Sequence, residues 1–180
     1  MNDLLTVKPE LKQKVETIVD ECITKAKKVW GDKIHIKPSI IYDTKGKAAG
    51  WASYNYFNPR INLNPILLNA NEDEMLNQTV PHEVAHIVTH MVFPGASGHG
   101  REWRSVMRVF GVRADRCHNM DIGVVYKAQG KKMFVYHCGC MVSGKNKDII
   151  VTGNMHTRMG RVQYKCRDCN QVAVYKGEKI

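Results

Sequence analysis

The sequence predicts an α+β protein in which helices pack on a small mixed sheet and a β-rich segment follows. Apolar residues recur at three- and four-residue spacing over residues 8–30, and two later stretches, 80–92 and 101–110, also have helical character. Short runs rich in β-branched and aromatic residues occupy residues 34–63, and similar short runs dominate the last third of the chain. The 180 residues suit one domain with a small appendage, and we predict a domain over residues 1–125 and a subdomain over residues 126–180.

The individual elements follow from these patterns. The first helix is predicted over residues 8–30 and ends at Gly31. Strands are predicted over residues 34–37 and 40–42 with an interruption near Pro38, then over residues 49–56 and 61–63. Further strands are expected over residues 124–126, 133–136, 149–151, 162–165 and 171–175, with a hairpin turn at Gly130 joining the first two of these.

The most informative stretch is His82-Glu83-Val84-Ala85-His86, which lies in an apolar run that predicts a buried helix. Two imidazoles four residues apart lie on one helical face and can reach a single metal ion. The carboxylate of Glu83 would project beside that ion, where it can take a proton from a water molecule. The pattern is typical of zinc-dependent peptidases, although a buried helix whose histidines bind backbone or water would share it.

The start of this helix has two interpretations. Pro81 suits the first turn of a helix that begins just before the motif. Alternatively the helix begins near Asn71, with Glu72, Asp73 and Glu74 in its first turn, and Pro81 then kinks it.

A catalytic zinc site needs a third protein ligand and one open position. His90 lies one turn beyond His86, about 6 Å further along an unbroken helix, and is therefore a neighbour rather than a ligand. The loop over residues 93–100 can fold back and deliver His99 to the metal. Glu102, at the start of the next helix, is the competing third ligand, and His99 is favoured.

Four of the six cysteines form two close pairs, Cys138 with Cys140 and Cys166 with Cys169. Such pairs across a short hairpin predict a tetrahedral structural zinc site. The first pair has one intervening residue instead of two, so either His137 or His156 could replace one of its cysteines. Disulfides are the alternative. The isolated Cys22 and Cys117 are interpreted as structural.

Charge is concentrated at the C-terminal end. Residues 127–180 carry 11 basic and 3 acidic side chains out of a net charge of +10 for the chain. A basic segment around a zinc ribbon predicts a polyanionic partner, most simply nucleic acid bound without sequence preference, with single-stranded DNA as one candidate. Aromatic side chains among these charges could stack on unpaired bases, unless they belong to the core of the strands; they are Tyr126, Phe134, Tyr136, Tyr164 and Tyr175.

No run of eighteen apolar residues predicts a membrane span, and residues 1–5 lack the pattern of a secretion signal. We therefore expect a cytoplasmic, nuclear or nucleoid-associated protein that is not secreted and whose thiols stay reduced.

The motifs together resemble the SprT family of zinc metallopeptidases, which includes the Spartan proteases. The resemblance comprises the histidine motif, the run Gly98-His99-Gly100-Arg101-Glu102-Trp103, the segment Arg60-Ile61-Asn62-Leu63-Asn64-Pro65, the segment Arg113-Ala114-Asp115-Arg116-Cys117-His118, and the four cysteines. It implies that His99 is the third zinc ligand and that the substrate is a protein, which in the Spartan branch is bound to DNA, as in the repair of DNA–protein crosslinks.

The sequence thus predicts a zinc endopeptidase of α+β, zincin-like architecture with a C-terminal zinc ribbon. His82, His86 and His99 would hold a catalytic zinc ion, Glu83 would act as general base on a zinc-activated water, and Cys138, Cys140, Cys166 and Cys169 would hold a structural zinc ion. The main alternative is a nucleic-acid-binding zinc-ribbon protein whose histidine site is structural or vestigial. A metal hydrolase with a non-peptide substrate is a third possibility.

Overall fold

The computed structural model describes residues 4–96, 98–116, 120, 122–142 and 145–179. The chain forms two compact units, Met1–Asp121 and Ile122–Ile180, each of which combines helices with a three-stranded sheet. The predicted α+β class is confirmed. The first unit ends close to the predicted boundary at residue 125, and the function assigned to each part stays a prediction.

In the first unit, α1 spans Pro9–Trp30 and is followed by a 3-10 turn, Gly31–Lys33. The apolar spacing that predicts this helix corresponds to its buried face, which includes Val15, Val19 and Cys22. The remaining elements of the unit are β1 (Ser39–Ile41), β2 (Gly50–Ser53), β3 (Arg60–Leu63), α2 (Pro65–Ala70), α3 (Glu72–Glu74), a π-helical turn (Met75–Thr79), α4 (Val80–Val92) and α5 (Arg101–Phe110).

The sheet has the strand order β1-β3-β2, so β3 is central and β2 lies at an edge. β1 pairs with β3 in parallel and β2 pairs with it antiparallel, which gives a mixed sheet. Ile61 and Leu63 of β3 are fully buried, as expected for a central strand. Residues 34–37, which were predicted as a strand, carry no regular structure, and β2 is shorter than the predicted strand over residues 49–56.

Two buried asparagines hold the loop that leads into β2. The Asn62 side chain accepts hydrogen bonds from the Asp43 N–H and the Thr44 hydroxyl. Asn64 caps α2 by accepting from two backbone N–H groups, and its amide donates to the carbonyls of Gly46 and Ala48. Because unpaired buried amides are costly, these bonds fix the path of residues 43–49.

Each of the two interpretations of where the motif helix begins is correct in part. Helical backbone begins at Glu72 in α3, and Pro81 lies in the first turn of α4. Between them, the Val80 N–H donates to the Met75 carbonyl five residues earlier, which makes a wider π-helical turn. The wider turn accommodates the proline ring, which in a regular α-helix would clash with the carbonyl four residues before it.

The core of the first unit forms where α1, α4 and α5 meet the sheet. Val84, Ile87 and Val88 of α4 are fully buried, and so are Trp103 and Met107 of α5. The predicted placement of Trp103 in the core is therefore confirmed.

In the second unit the elements are α6 (Gly123–Ala128), β4 (Met133–Val142), β5 (Lys145–Thr152), α7 (Gly153–Met159) and β6 (Val174–Lys179). The sheet order is β5-β4-β6, with β4 antiparallel to both neighbours.

Several predictions for this unit are wrong. Residues 124–126 are helical rather than a strand, because Val125 and Tyr126 bury one face of a short helix instead of alternating between two faces of a sheet. Residues 162–165 form only an isolated bridge, Lys165 to Val172, and the last strand begins at Val174 rather than Gln171. The helix α7 was not predicted.

Within the described part of the chain, no helix combines the length and apolar character needed to cross a membrane.

Candidate active site and candidate metal centres

Three imidazoles converge in the first unit. The Nε2 atoms of His82 and His86 lie 3.3 Å apart, those of His86 and His99 lie 3.2 Å apart, and those of His99 and His82 lie 2.9 Å apart. His82 and His86 share one face of α4 because four residues make about one helical turn. His99 comes from the loop between α4 and α5. The sequence-predicted trio is thus brought together, while its role as a ligand set stays a prediction.

The loop that delivers His99 depends on glycine conformations. Gly95 and Gly98 have φ of +86° and +59°, in the left-handed region that residues with side chains rarely adopt. These two turns reverse the chain after α4 and bring His99 back over His86.

Trp103 forms the wall behind the three rings. It is fully buried, and its ring centroid lies 4.8, 5.6 and 4.6 Å from those of His82, His86 and His99. The indole N–H also donates a long hydrogen bond, 3.5 Å, to the His82 carbonyl. Packing against one rigid indole restricts all three imidazoles to a single arrangement.

The geometry and chemistry of these rings fit a divalent metal ion. Three nitrogens at the usual zinc–nitrogen distance in a tetrahedral site would lie about 3.3 Å apart, close to the observed separations. The three nitrogens face one another without a carboxylate between them, and such a set of neutral donors suits zinc.

Burial keeps these imidazoles in the form that binds metal. Burial and repulsion from His99 lower the pKa of His82 to about 4, and a hydrogen bond with the Asp115 backbone opposes this only in part. Burial and the neighbouring histidines lower the pKa of His86 to about 4. The pKa of His99 is lowered by burial and by the charges of Arg116 and Arg104. The rings are therefore neutral at physiological pH, and no proton needs to leave before a metal binds.

Glu83 lies beside the imidazoles and is itself buried, with 6% of its surface exposed. Burial raises the pKa of its carboxyl group to about 8 in the absence of a metal. A positive charge held by the three histidines would favour the carboxylate again. A carboxyl group whose protonation depends on its neighbours near neutral pH is suited to accept and return a proton.

Gly50 allows the edge strand to approach Glu83. A Cβ atom at residue 50 would lie 3.1 Å from Glu83 Cγ and 3.0 Å from the Asn62 carbonyl oxygen. Any side chain larger than hydrogen would therefore displace either β2 or the carboxyl group. Sequence reasoning missed this residue, for which the small-residue run Ala48-Ala49-Gly50 was the only local signal.

Glu83 and the imidazoles open into a cleft of about 500 Å³. Residues 48–52, which end in the edge strand β2, line this cleft, and so does Arg116. No ion-pair partner is found for Arg116 within the described part of the chain. The sequence singled out the segment that contains Arg116 only by resemblance. Its position in the cleft became evident from the fold.

Glu102, the competing third ligand, and His90, the predicted neighbour of the ligands, both lie outside the trio. His90 stacks on Tyr54 with ring centroids 5.3 Å apart, and Glu102 lies 3.8 Å from Arg101. Neither belongs to the group of side chains whose ligand atoms converge in the described residues.

The four cysteines of the second unit also converge. Their sulfur atoms lie within 4.8 Å of one another, and those of Cys140 and Cys166 are 3.8 Å apart. A tetrahedral zinc site with four thiolates has sulfur–sulfur distances of about 3.8 Å, so the cluster fits a structural zinc ion. The described cysteines are free thiols in this structure, and their reduced state stays a prediction.

Backbone turns position the thiols of both cysteine pairs. N–H groups of Cys169 and Asp168 point at Cys166 and lower the pKa of its thiol to about 6. In the first pair, Gly139 has φ of +79°, and the register of β4 shifts between His137 and Met141. This turn brings Cys138 and Cys140 to the same site although only one residue separates them.

The histidines that could have replaced a cysteine lie elsewhere. His156 stacks on Phe134 with ring centroids 3.8 Å apart, and its Nδ1 lies 2.9 Å from the Tyr136 hydroxyl. His137 does not belong to the converging cluster. Cys22 is buried in the core, where burial raises the pKa of its thiol to about 12, which agrees with a structural role. Cys117 lies outside the described residues.

Not all the aromatic residues of the basic segment are available to a partner. Tyr126 and Tyr136 are buried, Phe134 and Tyr164 are half-buried, and Tyr175 is exposed. Arg158 lies over the ring of Tyr164 at 5.8 Å. The prediction that all five could stack on bases is therefore wrong for the two buried tyrosines, which belong to the core.

The first unit thus holds a candidate helix–loop metal centre with a glutamate beside it, and the second holds a candidate four-cysteine centre. The chain matches the model of the SprT-like family over residues 19–121. It is 36% identical to Protein SprT of Vibrio parahaemolyticus, over 95% of this chain and 98% of the relative. It is 35% identical to Protein SprT of Pseudomonas entomophila, over 94% of this chain and 97% of the relative. No solved structure matches significantly.

The chain therefore belongs to the SprT-like family, and the resemblance inferred from the motifs is confirmed. The match to the relatives extends over most of both chains, and the span of the family model contains the histidine motif.

Replacing His99 by Ala should lower the metal content of the histidine centre, because two ligands remain where three are needed. The matched variant His90→Ala removes an imidazole one turn from His86 and should keep the metal. Metal per chain, measured by mass spectrometry after dialysis, distinguishes them. Retention in His99→Ala with loss in His90→Ala would contradict the assigned third ligand.

Gly139→Ala should weaken metal binding at the four-cysteine centre. The left-handed backbone costs about 1–2 kcal/mol with a side chain. Gly139 has φ of +79° and separates Cys138 from Cys140, so a change of backbone there would shift two of the four sulfur atoms. Gly130→Ala is the control, since Gly130 also has a positive φ, +65°, but lies outside the cysteine pairs. Competition with a chromogenic chelator should show weaker binding for Gly139→Ala alone, and equal affinities would show that the turn at Gly139 does not determine the affinity for metal.

Proposed function

We propose that the protein is a zinc-dependent endopeptidase of zincin-like architecture with a C-terminal zinc ribbon. The observation that carries the proposal is the approach of three neutral imidazoles to within 2.9–3.3 Å of one another, with Glu83 beside them in an open cleft. His82, His86 and His99 would hold the catalytic zinc ion. Cys138, Cys140, Cys166 and Cys169 would hold a structural one.

When bound, zinc supplies a Lewis acid that lowers the pKa of a water molecule toward neutrality and polarises a carbonyl group. Glu83 accepts the proton of the attacking water and then returns it to the leaving amine. Its buried position helps both steps, since a carboxyl group with a raised pKa is a stronger base when ionised and can hold the proton between them.

The edge strand β2 provides a way to bind an extended peptide. β2 pairs with β3 on one side only among the described residues, and it borders the cleft on the other. A substrate could therefore add to this edge through backbone hydrogen bonds. Such binding recognises main chain rather than one small molecule, which favours a peptidase over a hydrolase of non-peptide substrates.

Arg116 is proposed as the group that stabilises the negative charge on the scissile carbonyl oxygen in the transition state. It borders the same cleft as the imidazoles, and its charge is close enough to lower the pKa of His99. A cation fixed in a cleft acts most strongly where charge develops during the reaction.

We further propose that the second unit binds nucleic acid and that the substrates include DNA-bound proteins. Lys165, Arg161 and Arg167 are exposed near the cysteine centre, and Tyr175 is exposed on β6. These groups suit contacts with phosphates and stacking on unpaired bases.

A non-proteolytic nucleic-acid-binding protein with a vestigial histidine centre is the second candidate, and the same basic surface supports it. The buried carboxyl group of Glu83 argues against this second candidate. A purely structural site has no need of a buried carboxyl group beside its ligands, since burying it costs free energy.

Glu83→Gln should keep about two zinc ions per chain and lose most peptidase activity. The amide occupies the same space but cannot accept the proton, and general base catalysis contributes about 10²–10⁴-fold. The assay is cleavage of a basic DNA-binding protein with and without single-stranded DNA, followed by electrophoresis. Full activity in the variant would refute the role of Glu83, and binding of DNA without cleavage by the unaltered protein would favour the second candidate.

Arg116→Ala should lower kcat by about ten- to a hundredfold with a smaller change in KM, because the lost charge acts mainly in the transition state. Arg101→Ala is the control, since Arg101 is nearly fully exposed and does not border the cleft. In the metal-free protein, the pKa of His99 measured by NMR should rise in Arg116→Ala only. An unchanged kcat would remove Arg116 from the mechanism.

DNA binding should weaken as salt rises, with a slope that reports the number of phosphate contacts. The triple variant Lys165→Ala, Arg161→Ala, Arg167→Ala should reduce that slope by about two, from roughly 0.7 per lost contact on single strands. Three exposed lysines of the first unit, Lys8, Lys27 and Lys28, serve as the matched control set. Fluorescence anisotropy of a labelled oligonucleotide over a salt series measures both slopes, and equal slopes would place the contacts elsewhere.

A further inference from the structure

A second cavity of about 520 Å³ lies in the first unit next to the cleft. His90 borders both cavities, so the two adjoin at this residue of α4. None of the side chains specific to the second cavity takes part in the chemistry described above.

Two stacked pairs of rings form its walls. Tyr54 stacks on His90 with centroids 5.3 Å apart and an interplanar angle of 10°, and His35 stacks on Tyr56 at 4.4 Å and 28°. The His35 ring nitrogens lie 3.2 and 3.3 Å from the carbonyl oxygens of Lys33 and Tyr56, and the N–H of a neutral imidazole can donate to one of them. Tyr56 remains 58% exposed, so this arrangement presents an aromatic surface instead of hiding it.

We propose that this cavity is a specificity subsite that binds an aromatic or other large apolar side chain of the peptide substrate, two or three residues before the scissile bond. The inference rests on the proposed peptidase function, whose cleft it extends. It makes Tyr54, Tyr56 and His35 specificity-determining residues.

The distance follows from the helix. His90 lies one turn after the proposed ligand His86, about 6 Å along the axis of α4. An extended peptide advances about 3.3 Å per residue, so the cavity lies about two residues from the bond to be cleaved. Because successive side chains of an extended chain point to opposite faces, only one of the second and third residues can enter it.

The direction of the peptide follows from β2. Gly50 at the start of the strand lies close enough to Glu83 that an added Cβ atom would be 3.1 Å from its Cγ, and Tyr54 just after the end of the strand stacks on His90. β2 and α4 therefore run the same way past the site. Antiparallel pairing of strands is more stable and more common than parallel pairing, so we expect the peptide to pair with β2 in this way. A peptide paired antiparallel to β2 passes His90 first, and its residues before the scissile bond lie over the second cavity.

The lining determines the kind of side chain. Ring faces together with Met91 and Pro94 offer apolar contacts, while Asp32 and Lys33 bring opposite charges that leave no net preference for either sign. Ring–ring contacts add to the burial of an aromatic occupant. We therefore expect a large apolar residue to bind better than alanine by about tenfold or more.

The test uses peptide hydroxamates, whose hydroxamate group binds zinc and whose residues then extend over the side that precedes the scissile bond. Binding of acetyl-Ala-Ala-Ala-hydroxamate to the zinc-loaded chain is compared by calorimetry with variants that carry Phe at the first, second or third residue from the hydroxamate. We expect a gain of about tenfold at either the second or the third residue and not at the others. Equal gains at all positions, or none, would overturn the subsite while leaving the peptidase proposal intact.

Variants of the protein complete the test. Tyr56→Ala and, independently, His35→Ala should abolish the gain from Phe, measured for each variant as the ratio of its affinities for the Phe and the all-alanine hydroxamates. Phe57→Ala is the matched control, because Phe57 is adjacent, 83% exposed and outside the cavity, and it should keep the gain. If no hydroxamate binds to the zinc-loaded protein, the proposed catalytic centre is wrong, and the subsite is excluded with it.

Discussion

The packing of one indole ring against three imidazoles is the constraint on which the first unit depends. Trp103 belongs to α5, His82 and His86 to α4, and His99 to the loop between them, so the contact joins three segments at a single point. Because the indole is fully buried, it cannot move without opening the core, and the histidines cannot separate without losing their packing. The core therefore determines the geometry of the site in advance of any metal.

Much of the site could be predicted because it depends on residues that lie close together in the sequence. Two histidines four residues apart must share a helical face, and two close cysteine pairs must meet if a hairpin joins them. The residues that sequence reasoning missed act through contacts distant in the chain. Gly50 matters because Glu83 approaches it across the sheet, and Arg116 because the chain after α5 returns to the cleft. In the same way, the strand predicted over residues 124–126 is helical because tertiary packing, rather than β propensity, decides short apolar runs.

The two candidate metal centres differ in charge as well as in ligands. Three neutral imidazoles would leave the positive charge of a divalent ion uncompensated, which is available to a carbonyl oxygen and to Glu83. Four thiolates around zinc would instead carry a net negative charge and no open position. Basic residues such as Lys165 and Arg167 beside the cysteines would offset that charge. The histidine centre is therefore suited to catalysis, and the cysteine centre is suited to stabilising the fold.

The second unit is small, and the described part of it buries few large apolar side chains beyond Val125, Met133 and Val135, with Tyr126 and Tyr136. A core of this size contributes little stability by itself. If the four thiols close around an ion, the free energy of that binding becomes folding free energy for the sheet. The concentration of free metal ion would then determine the fraction of molecules in which the second unit is folded. This dependence would hold whether or not a metal ion occupies the histidine centre.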